Sequence, residues 1–213
     1  MQKRIDKIEF SKPRKRIYTL FFDDGSEQAV HEDTLLKFRL AQGSQIDAAL
    51  QSKISRFEEE TNCKEQAYRF LSRRPHLERE LYLKLMHKGY NKALIMSVLD
   101  RLRKNNLLDD EDFVRRFAEE EKSLRHSGPL RIKKKLIEKG APREMVESWL
   151  EDHYPETEQL QQAEVLAGKK YNGMQKIGGA KRLQKVRNFL RQRGFTWNII
   201  REVTAQWETE EEL

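Results

Sequence analysis

The chain has 213 residues, of which 36% are charged and 37% hydrophobic, whereas about 25% of residues are charged in an average soluble domain. Its apolar runs are far shorter than the roughly 20 residues of a membrane-spanning helix, and its N-terminus lacks the apolar stretch of a secretory signal. One cysteine, Cys63, excludes an intramolecular disulfide and a cysteine-based zinc cluster. We therefore expect a charge-rich, mainly α-helical, cytoplasmic protein of one or two domains.

Residues 5–30 predict a small β-structure. A short apolar pattern begins at Ile5, and a β-branched and aromatic run covers residues 17–22. Asp24-Gly25 then supplies a hairpin turn before a third run that ends at Val30. Two or three strands of this size are not stable alone, so we expect them to dock on a helix.

Two helices are predicted after these strands. Glu32 or Asp33 begins a short helix that extends to Leu40, and Gly43 ends it. A second, more polar helix is predicted for residues 47–60. These segments complete an N-terminal β-containing extension, a β-hairpin or three strands plus helices, which we assign to residues 1–61.

From residue 62 onward helical periodicity replaces the strand signals, and one pattern occurs three times. Asn62 followed by Glu65 is a capping box that would begin the first repeat. The repeats are centred on Gly89, Gly140 and Gly194, which lie 51 and 54 residues apart, and a basic residue precedes each glycine.

Apolar residues stand eight and four positions before each glycine and six and nine positions after it. These positions are Leu81, Leu85, Ile95 and Val98; Ile132, Leu136, Val146 and Trp149; and Val186, Leu190, Ile200 and Val203. A spacing of four returns to one helix face, and glycine suits the left-handed position that ends a helix. With a further apolar stretch upstream, each segment is predicted as a three-helix unit.

The predicted repeats cover residues 62–108, 109–154 and 155–213, the last with an acidic tail. Because tandem units contact mainly their neighbours, they predict an elongated, curved array.

Basic and acidic residues are segregated along the chain, which carries 42 Lys plus Arg against 35 Asp plus Glu and a net charge of +7. Residues 169–193 contain nine basic residues and no acid, and residues 125–143 contain seven basic residues with Glu138 as the one acid. Residues 109–121 instead contain seven acids, and four glutamates follow Trp207. Segregated charge predicts an anionic partner, although a solvated helix face explains any single cluster equally well.

Nothing in the sequence predicts an enzyme. The five histidines are scattered, with no pair spaced to share a metal on one helix face. Asp109 and the three acids after it fit a helix start better than a metal site, and residues 173–181 lack the Gly-Lys-Ser/Thr of a phosphate-binding loop. We expect no catalytic residues, no metal and no cofactor.

Several stretches, taken in order, resemble the RecX family of bacterial regulators of the recombinase RecA. They are Leu77-Glu78-Arg79-Glu80-Leu81, Lys88-Gly89-Tyr90, Asn106-Leu107-Leu108-Asp109-Asp110-Glu111-Asp112-Phe113, Ser127-Gly128-Pro129-Leu130-Arg131-Ile132 and Glu138-Lys139-Gly140. Residues 108–113 match the family's Leu/Ile-Asp-Asp-x-x-aromatic linker, whereas Asn106 stands where many members have glycine. The resemblance covers roughly residues 67–207 and is weakest in the third repeat.

The resemblance implies a non-enzymatic modulator that lies in the groove of the RecA–single-stranded-DNA filament and inhibits ATP hydrolysis and strand exchange. It places the protein in DNA repair, recombination and the SOS response. Family members also promote filament disassembly, and some bind DNA by themselves. We expect a monomer with no membrane partner; the sequence leaves open whether it blocks filament extension or drives disassembly.

The basic faces of the second and third repeats are the predicted partner-binding surface, contacting either DNA phosphate or acidic recombinase surface. The residues assigned to it are Arg125, Arg131, Lys133, Lys134, Lys135, Lys139, Lys181, Arg182, Lys185, Arg187 and Arg191. Tyr171 and Phe195 are candidates for base stacking, whereas the spacing of Trp197 and of most other aromatic residues favours the core.

The alternative is a helix-turn-helix protein that acts directly on DNA, since a helix, a glycine turn and a second helix is also the form of that motif. The helix after Gly140 carries Glu144, Glu147, Glu151 and Asp152. Phosphates would repel such a helix, which disfavours this alternative.

Overall fold

The computed structural model describes residues 2–12 and 16–209, and the chain divides into two compact units. The first contains Met1–Arg74 and Tyr82–Asn105, and the second contains Pro75–Leu81 and Asn106–Leu213. The acidic tail predicted after Trp207 lies largely outside the described residues. Within the described part of the chain, no helix is long and apolar enough to cross a bilayer.

The N-terminal strands form one antiparallel sheet in the order β3-β2-β1-β4. They are β1 (Lys3–Lys12), β2 (Ile17–Phe22), β3 (Glu27–His31) and β4 (Gln45–Ile46). The turn predicted at Asp24-Gly25 is confirmed, with Gly25 at φ 78°. The sequence predicted at most three strands, because the two residues of β4 are too few to leave a pattern. Ile5, Leu20 and Val30 build the buried face of the sheet.

Two boundaries of the first helices differ from the prediction. Helix α1 (Glu32–Phe38) ends because Arg39 takes a left-handed conformation at φ 50°, so the end predicted at Gly43 is wrong. Helix α2 (Ala48–Leu71) begins as predicted, with the Asp47 carboxylate accepting from the Leu50 amide at 2.7 Å. It then continues through Asn62 to Leu71, so the end predicted at residue 60 and the capping box are wrong. No glycine or proline interrupts this helix, and Ile54, Cys63 and Ala67 continue its buried stripe.

The remaining chain is helical, and the predicted three-helix units are confirmed. The first repeat contains α3 (Glu78–Met86) and α4 (Lys92–Lys104) after the end of α2; the second contains α5 (Asp110–Ser123), α6 (Pro129–Lys139) and α7 (Arg143–His153); the third contains α8 (Glu156–Asn172), α9 (Gly179–Arg193) and α10 (Trp197–Thr209). Gly89, Gly140 and Gly194 are left-handed at φ 90°, 98° and 91°.

All twelve apolar positions of the repeat pattern are buried. In the second unit, the positions of the second and third repeats build two cores, one around Leu136, Val146 and Trp149 and the other around Leu190 and Ile200. The side chains that remain on the outer faces of α6 and α9 include most of the basic residues of the predicted site, whereas Arg125 lies between α5 and α6.

Candidate polyanion-binding site

The second and third repeats meet where the start of α6 contacts the end of α9. The Gly128 amide donates to the Arg193 carbonyl at 2.8 Å, and the Leu130 amide donates to the Gly194 carbonyl at 3.0 Å. The first amides and last carbonyls of a helix have no partner within it. Each helix end therefore satisfies the backbone groups that the other leaves unpaired.

Two glycines make this contact possible. A Cβ atom on Gly128 would lie 2.5 Å from the carbonyl carbon and oxygen of Gly194, and one on Gly194 would overlap the backbone of Arg131. The sequence predicted Gly194 as a helix-ending residue but contained no signal that Gly128 meets another backbone. Only glycine fits at these two positions without moving the helices apart.

A groove, which we name the junction groove, lies around this contact and has two parts. The lysine basin encloses about 390 Å³ and is lined by Leu130, Arg131, Lys134, Lys135, Glu138, Arg191, Gln192 and Gly194. The aromatic basin encloses about 560 Å³ and is lined by Leu124, Arg125, His126, Arg131, Phe189, Gln192 and Arg193. Arg131 and Gln192 belong to both basins, and Arg131 Nη1 donates to the Gln192 carbonyl at 3.1 Å.

The junction groove brings together five of the predicted site residues, Arg125, Arg131, Lys134, Lys135 and Arg191. The other six line neither basin; they are Lys133, Lys139, Lys181, Arg182, Lys185 and Arg187. The predicted surface is therefore divided between the junction groove and more distant parts of α6 and α9.

Lys135 is held by a buried carboxylate of its own repeat. Its ammonium lies 2.7 and 2.8 Å from the two carboxylate oxygens of Glu121, which also accept from the Ser127 hydroxyl at 2.8 Å. Arg125 Nε lies 3.3 Å from the same carboxylate. Burial alone would raise the pKa of Glu121, but the hydrogen bonds from Lys135 and Ser127 together lower it below its ordinary value. Glu121 therefore stays ionised and offsets part of the positive charge of the groove.

The other lysines of α6 also have partners. Lys133 pairs with Glu147 of α7, and this hydrogen bond lowers the pKa of Glu147. Lys134 lies 3.8 Å from Glu138 in a pair whose side chains are both well exposed, so the contact is weak. The Lys139 ammonium lies 5.3 Å from the centre of the Phe117 ring.

Three of the basic residues of α9 are more available. Lys181, Lys185 and Arg191 are exposed, and no carboxylate among the described residues lies within ion-pair distance of them. Arg182 stacks on Tyr171 with 3.7 Å between guanidinium and ring centre, and Arg187 Nε donates to the Thr204 hydroxyl at 3.2 Å.

Three of the aromatic predictions for the third repeat are wrong, whereas Phe189 and Trp207 pack against its core as predicted. Tyr171 and Phe195, predicted as stacking residues, are buried, and Tyr171 lies flat against Trp207 with ring centres 4.3 Å apart. Trp197, predicted for the core, is 57% exposed but lines neither basin. Helix α10 begins at Trp197, and residues 195 and 196 precede it. Helical spacing therefore does not indicate which side chains near this boundary are buried.

Three residues of the aromatic basin, His126, Phe189 and Arg193, were not predicted for the site. His126 is a non-glycine residue at φ 49°, a conformation that nothing in the sequence indicates. The sequence shows Arg193 before Gly194 and among the nine basic residues of 169–193, and neither feature predicts that it lines a basin. The signal that could have pointed to His126 is its place just before Ser127-Gly128-Pro129, where a helix start is predicted.

The acidic run at residue 109 begins a helix, as predicted. The Asp109 carboxylate accepts from the Asp112 amide at 2.9 Å, and the Asp110 carboxylate accepts from the Glu78 amide at 2.8 Å. Across residues 2–12 and 16–209, no group of three or more His, Cys, Asp or Glu side chains is placed to hold a metal ion.

Comparison with known proteins gives a consistent result. Two family models match the chain, "RecX, first three-helix domain" over residues 63–102 and "RecX, third three-helix domain" over residues 156–204. The regulatory protein RecX of Oceanobacillus iheyensis is 30% identical over 219 residues, covering 99% of this chain and 79% of that protein. The regulatory protein RecX of Staphylococcus carnosus is 29% identical over 200 residues, covering 93% of this chain and 74% of that protein.

Solved structures share the fold. A crystal structure of a regulatory protein RecX superimposes with a TM-score of 0.71 at 24% identity and covers 95% of this chain and 99% of that one. The crystal structure of RecX from Lactobacillus salivarius has a TM-score of 0.64 at 20% identity and covers 71% of this chain and 97% of that one.

Proposed function

The chain belongs to the RecX family of regulatory proteins, and from this we propose that it regulates a RecA recombinase. In this proposal the protein binds the RecA–single-stranded-DNA filament, inhibits its ATPase and recombinase activity, and acts in DNA repair and recombination. It works in the cytoplasm as a monomer, without chemistry of its own.

The junction groove is the observation that carries this proposal. Arg131, Lys134 and Arg191 line one basin, which has Glu138 as its one acid. The backbone contact at Gly128 and Gly194 holds α6 and α9 in one arrangement, so the backbone that carries these cations is fixed before any partner binds. A preorganised backbone reduces the conformational entropy lost on binding an anionic polymer.

Lys181 and Lys185 extend the positive surface along α9, where no described carboxylate neutralises them. Contacts of this kind recognise phosphate or an acidic protein wall through charge rather than through base edges. They make the affinity fall steeply with salt.

The helix-turn-helix alternative has less support. Glu144, Glu151 and Asp152 are exposed on α7, the helix after the second glycine turn. A recognition helix lies against phosphates in the major groove, so this acidic helix would be repelled.

The test is an ATPase assay of the recombinase on single-stranded DNA with substoichiometric amounts of this protein. We expect the native chain to inhibit hydrolysis and the double variant Lys134→Glu/Arg191→Glu to inhibit at least about tenfold less, because two phosphate-type contacts become repulsive. Lys53→Glu/Lys92→Glu changes the charge equally at exposed positions outside the groove and should inhibit normally.

Absence of inhibition by the native chain would refute the proposed function. Equal inhibition by the native chain and the groove variant would refute the site. Tight binding to one duplex sequence without recombinase would favour the helix-turn-helix alternative.

A further inference from the structure

The two basins of the junction groove differ in chemistry. Side chains that line the lysine basin are mostly cationic, whereas the aromatic basin adds the rings of His126 and Phe189 and the exposed side chain of Leu124. An acidic protein surface would need only the cations. Flat rings beside cations are the surroundings in which nucleic-acid bases stack.

Phe189 is already surrounded by positive charge. The Arg193 guanidinium lies 5.2 Å from its ring centre and the Lys170 ammonium lies 5.5 Å away. Arg193 is held in place because its Nη1 donates to the Arg125 carbonyl. The ring is half-buried, so one part packs on the core of the third repeat while another part lines the basin.

His126 presents its ring to the same basin in a held position. Its backbone is left-handed at φ 49°, which is costly for a residue with a Cβ atom and persists only where its surroundings impose it. The Gln162 amide nitrogen, which can only donate, lies 3.2 Å from His126 Nδ1 and also donates to the Lys122 carbonyl at 2.8 Å. In the neutral imidazole the ring proton is therefore on Nε2, the nitrogen that Gln162 does not contact.

We propose that the junction groove binds single-stranded nucleic acid directly, with phosphates in the lysine basin and an unpaired base in the aromatic basin against His126 and Phe189. This deepens the proposed function and rests on it, because it specifies what the groove contacts within the filament. Bases of a duplex are stacked inside the helix and do not reach such a basin, so the groove selects single strands.

The test uses the full chain without recombinase and measures fluorescence anisotropy of two labelled probes. One is an oligothymidylate, and the other is an oligomer of the same length and phosphate number in which every site is abasic. We expect the native chain to bind the oligothymidylate about tenfold more tightly, because base–aromatic stacking contributes only there.

His126→Asn is the informative variant, since asparagine tolerates the left-handed conformation and only the ring is removed. We expect this variant to bind the oligothymidylate about fivefold more weakly and to bind the abasic oligomer with unchanged affinity. It should unfold at the same urea concentration as the native chain. His87→Asn, at an exposed histidine outside the groove, should change neither affinity. Lys134→Gln should lower the affinity for both probes by the same factor.

Equal affinity of the native chain for both probes would overturn this proposal, as would an equal loss on both probes in His126→Asn. The proposal would also be overturned if polyglutamate displaced the labelled probe as well as unlabelled oligothymidylate of equal charge does. That result would show that the groove binds acidic protein surfaces. If the native chain inhibits the recombinase but binds no oligothymidylate, this proposal fails and the proposed function stands. If it binds the oligothymidylate as expected but does not inhibit, the proposed function fails alone.

Discussion

Helices α6 and α9 occupy the same place in their repeats, and both are rich in lysine and arginine, but their charge is not equally available. Lys133 and Lys135 of α6 pair with Glu147 and Glu121. Lys185, on the outer face of α9, has no described carboxylate within reach. The number of basic residues in a helix therefore does not measure the positive potential that it offers a partner.

The neighbours of each helix explain the difference. α6 packs between α5 and α7, which contribute Glu121 and Glu147 at positions that face it. α9 packs against α8 and α10, and the buried positions of α8 are Ala163, Ala167 and Tyr171, which carry no carboxylate. The groove thus combines Lys135, which Glu121 neutralises, with two more available cations, Lys134 of α6 and Arg191 of α9.

The largest effect should come from separating the two helices at their backbone contact. Gly194→Ala places a Cβ atom on the backbone of Arg131 and in a left-handed conformation, so we expect it to lower the free energy of unfolding by about 3 kcal/mol. Gly89→Ala is the matched control, because Gly89 has the same conformation with no atom within 4 Å of the added Cβ. It should cost about 1 kcal/mol, and urea denaturation followed by circular dichroism measures both. Equal losses would show that the close approach at the junction contributes nothing.

The next largest effect should come from removing the buried carboxylate of the second repeat. Glu121→Gln leaves Lys135 without its ionised partner, and we expect the free energy of unfolding to fall by about 2 kcal/mol at neutral pH. In the ATPase assay the same variant should inhibit at least as well as the native chain, because Lys135 becomes available. Weaker inhibition by a folded Glu121→Gln protein would contradict the idea that Glu121 neutralises the groove.

The pH dependence of this variant follows from the lowered pKa of Glu121. A carboxylate whose pKa is lower in the folded than in the unfolded chain stabilises the fold above its ordinary pKa of 4.5, and this contribution is lost as the pH falls further through the folded-state pKa. The native chain should therefore lose more stability than Glu121→Gln below that pH, and the difference between them should narrow. A difference that stays constant under acid would show that the pair does not titrate in this way.

A smaller effect is expected for the salt dependence of filament binding, which should differ between variants of two adjacent lysines of α6. Lys134 is exposed and lines the lysine basin, whereas Lys133 pairs with Glu147 outside it. Lys134→Gln should reduce the slope of log affinity against log salt by about 1, as expected for one lost phosphate contact. Lys133→Gln should leave the slope unchanged. Filament binding measured by anisotropy at several salt concentrations tests the pair, and the same slope for both variants would remove the distinction between paired and available lysines.

The smallest effect should come from Trp197, the exposed tryptophan of the third repeat. Since its side chain is 57% exposed and lines neither basin, Trp197→Ala should change the free energy of unfolding by no more than about 0.5 kcal/mol. Oligothymidylate binding should also stay the same. A marked loss of binding would show that the nucleic-acid site extends onto α10 beyond the junction groove.

Local pattern was sufficient to predict the helical repeats. Gly89, Gly140 and Gly194 take the left-handed conformation that their positions predicted, because a glycine after an apolar helix stripe has few other roles. The sequence pattern did not predict burial correctly at a helix boundary or where a residue distant in sequence covers a side chain. The spacing that predicted Trp197 for the core does not hold at the first turn of α10, and Tyr171 is buried by its contact with Trp207, which lies far away in sequence.

The sequence by itself determined the three-helix units, their turns and the helices that carry positive charge, since these depend on the spacing of residues within one segment. Only the tertiary structure decided which charges are available and where they meet. The contact of Gly128 with Gly194, the pair of Lys135 with Glu121 and the placement of His126 beside Phe189 each join residues from different helices. Such contacts depend on how the helices pack. The periodicity of one helix does not indicate which side chains another helix places against it.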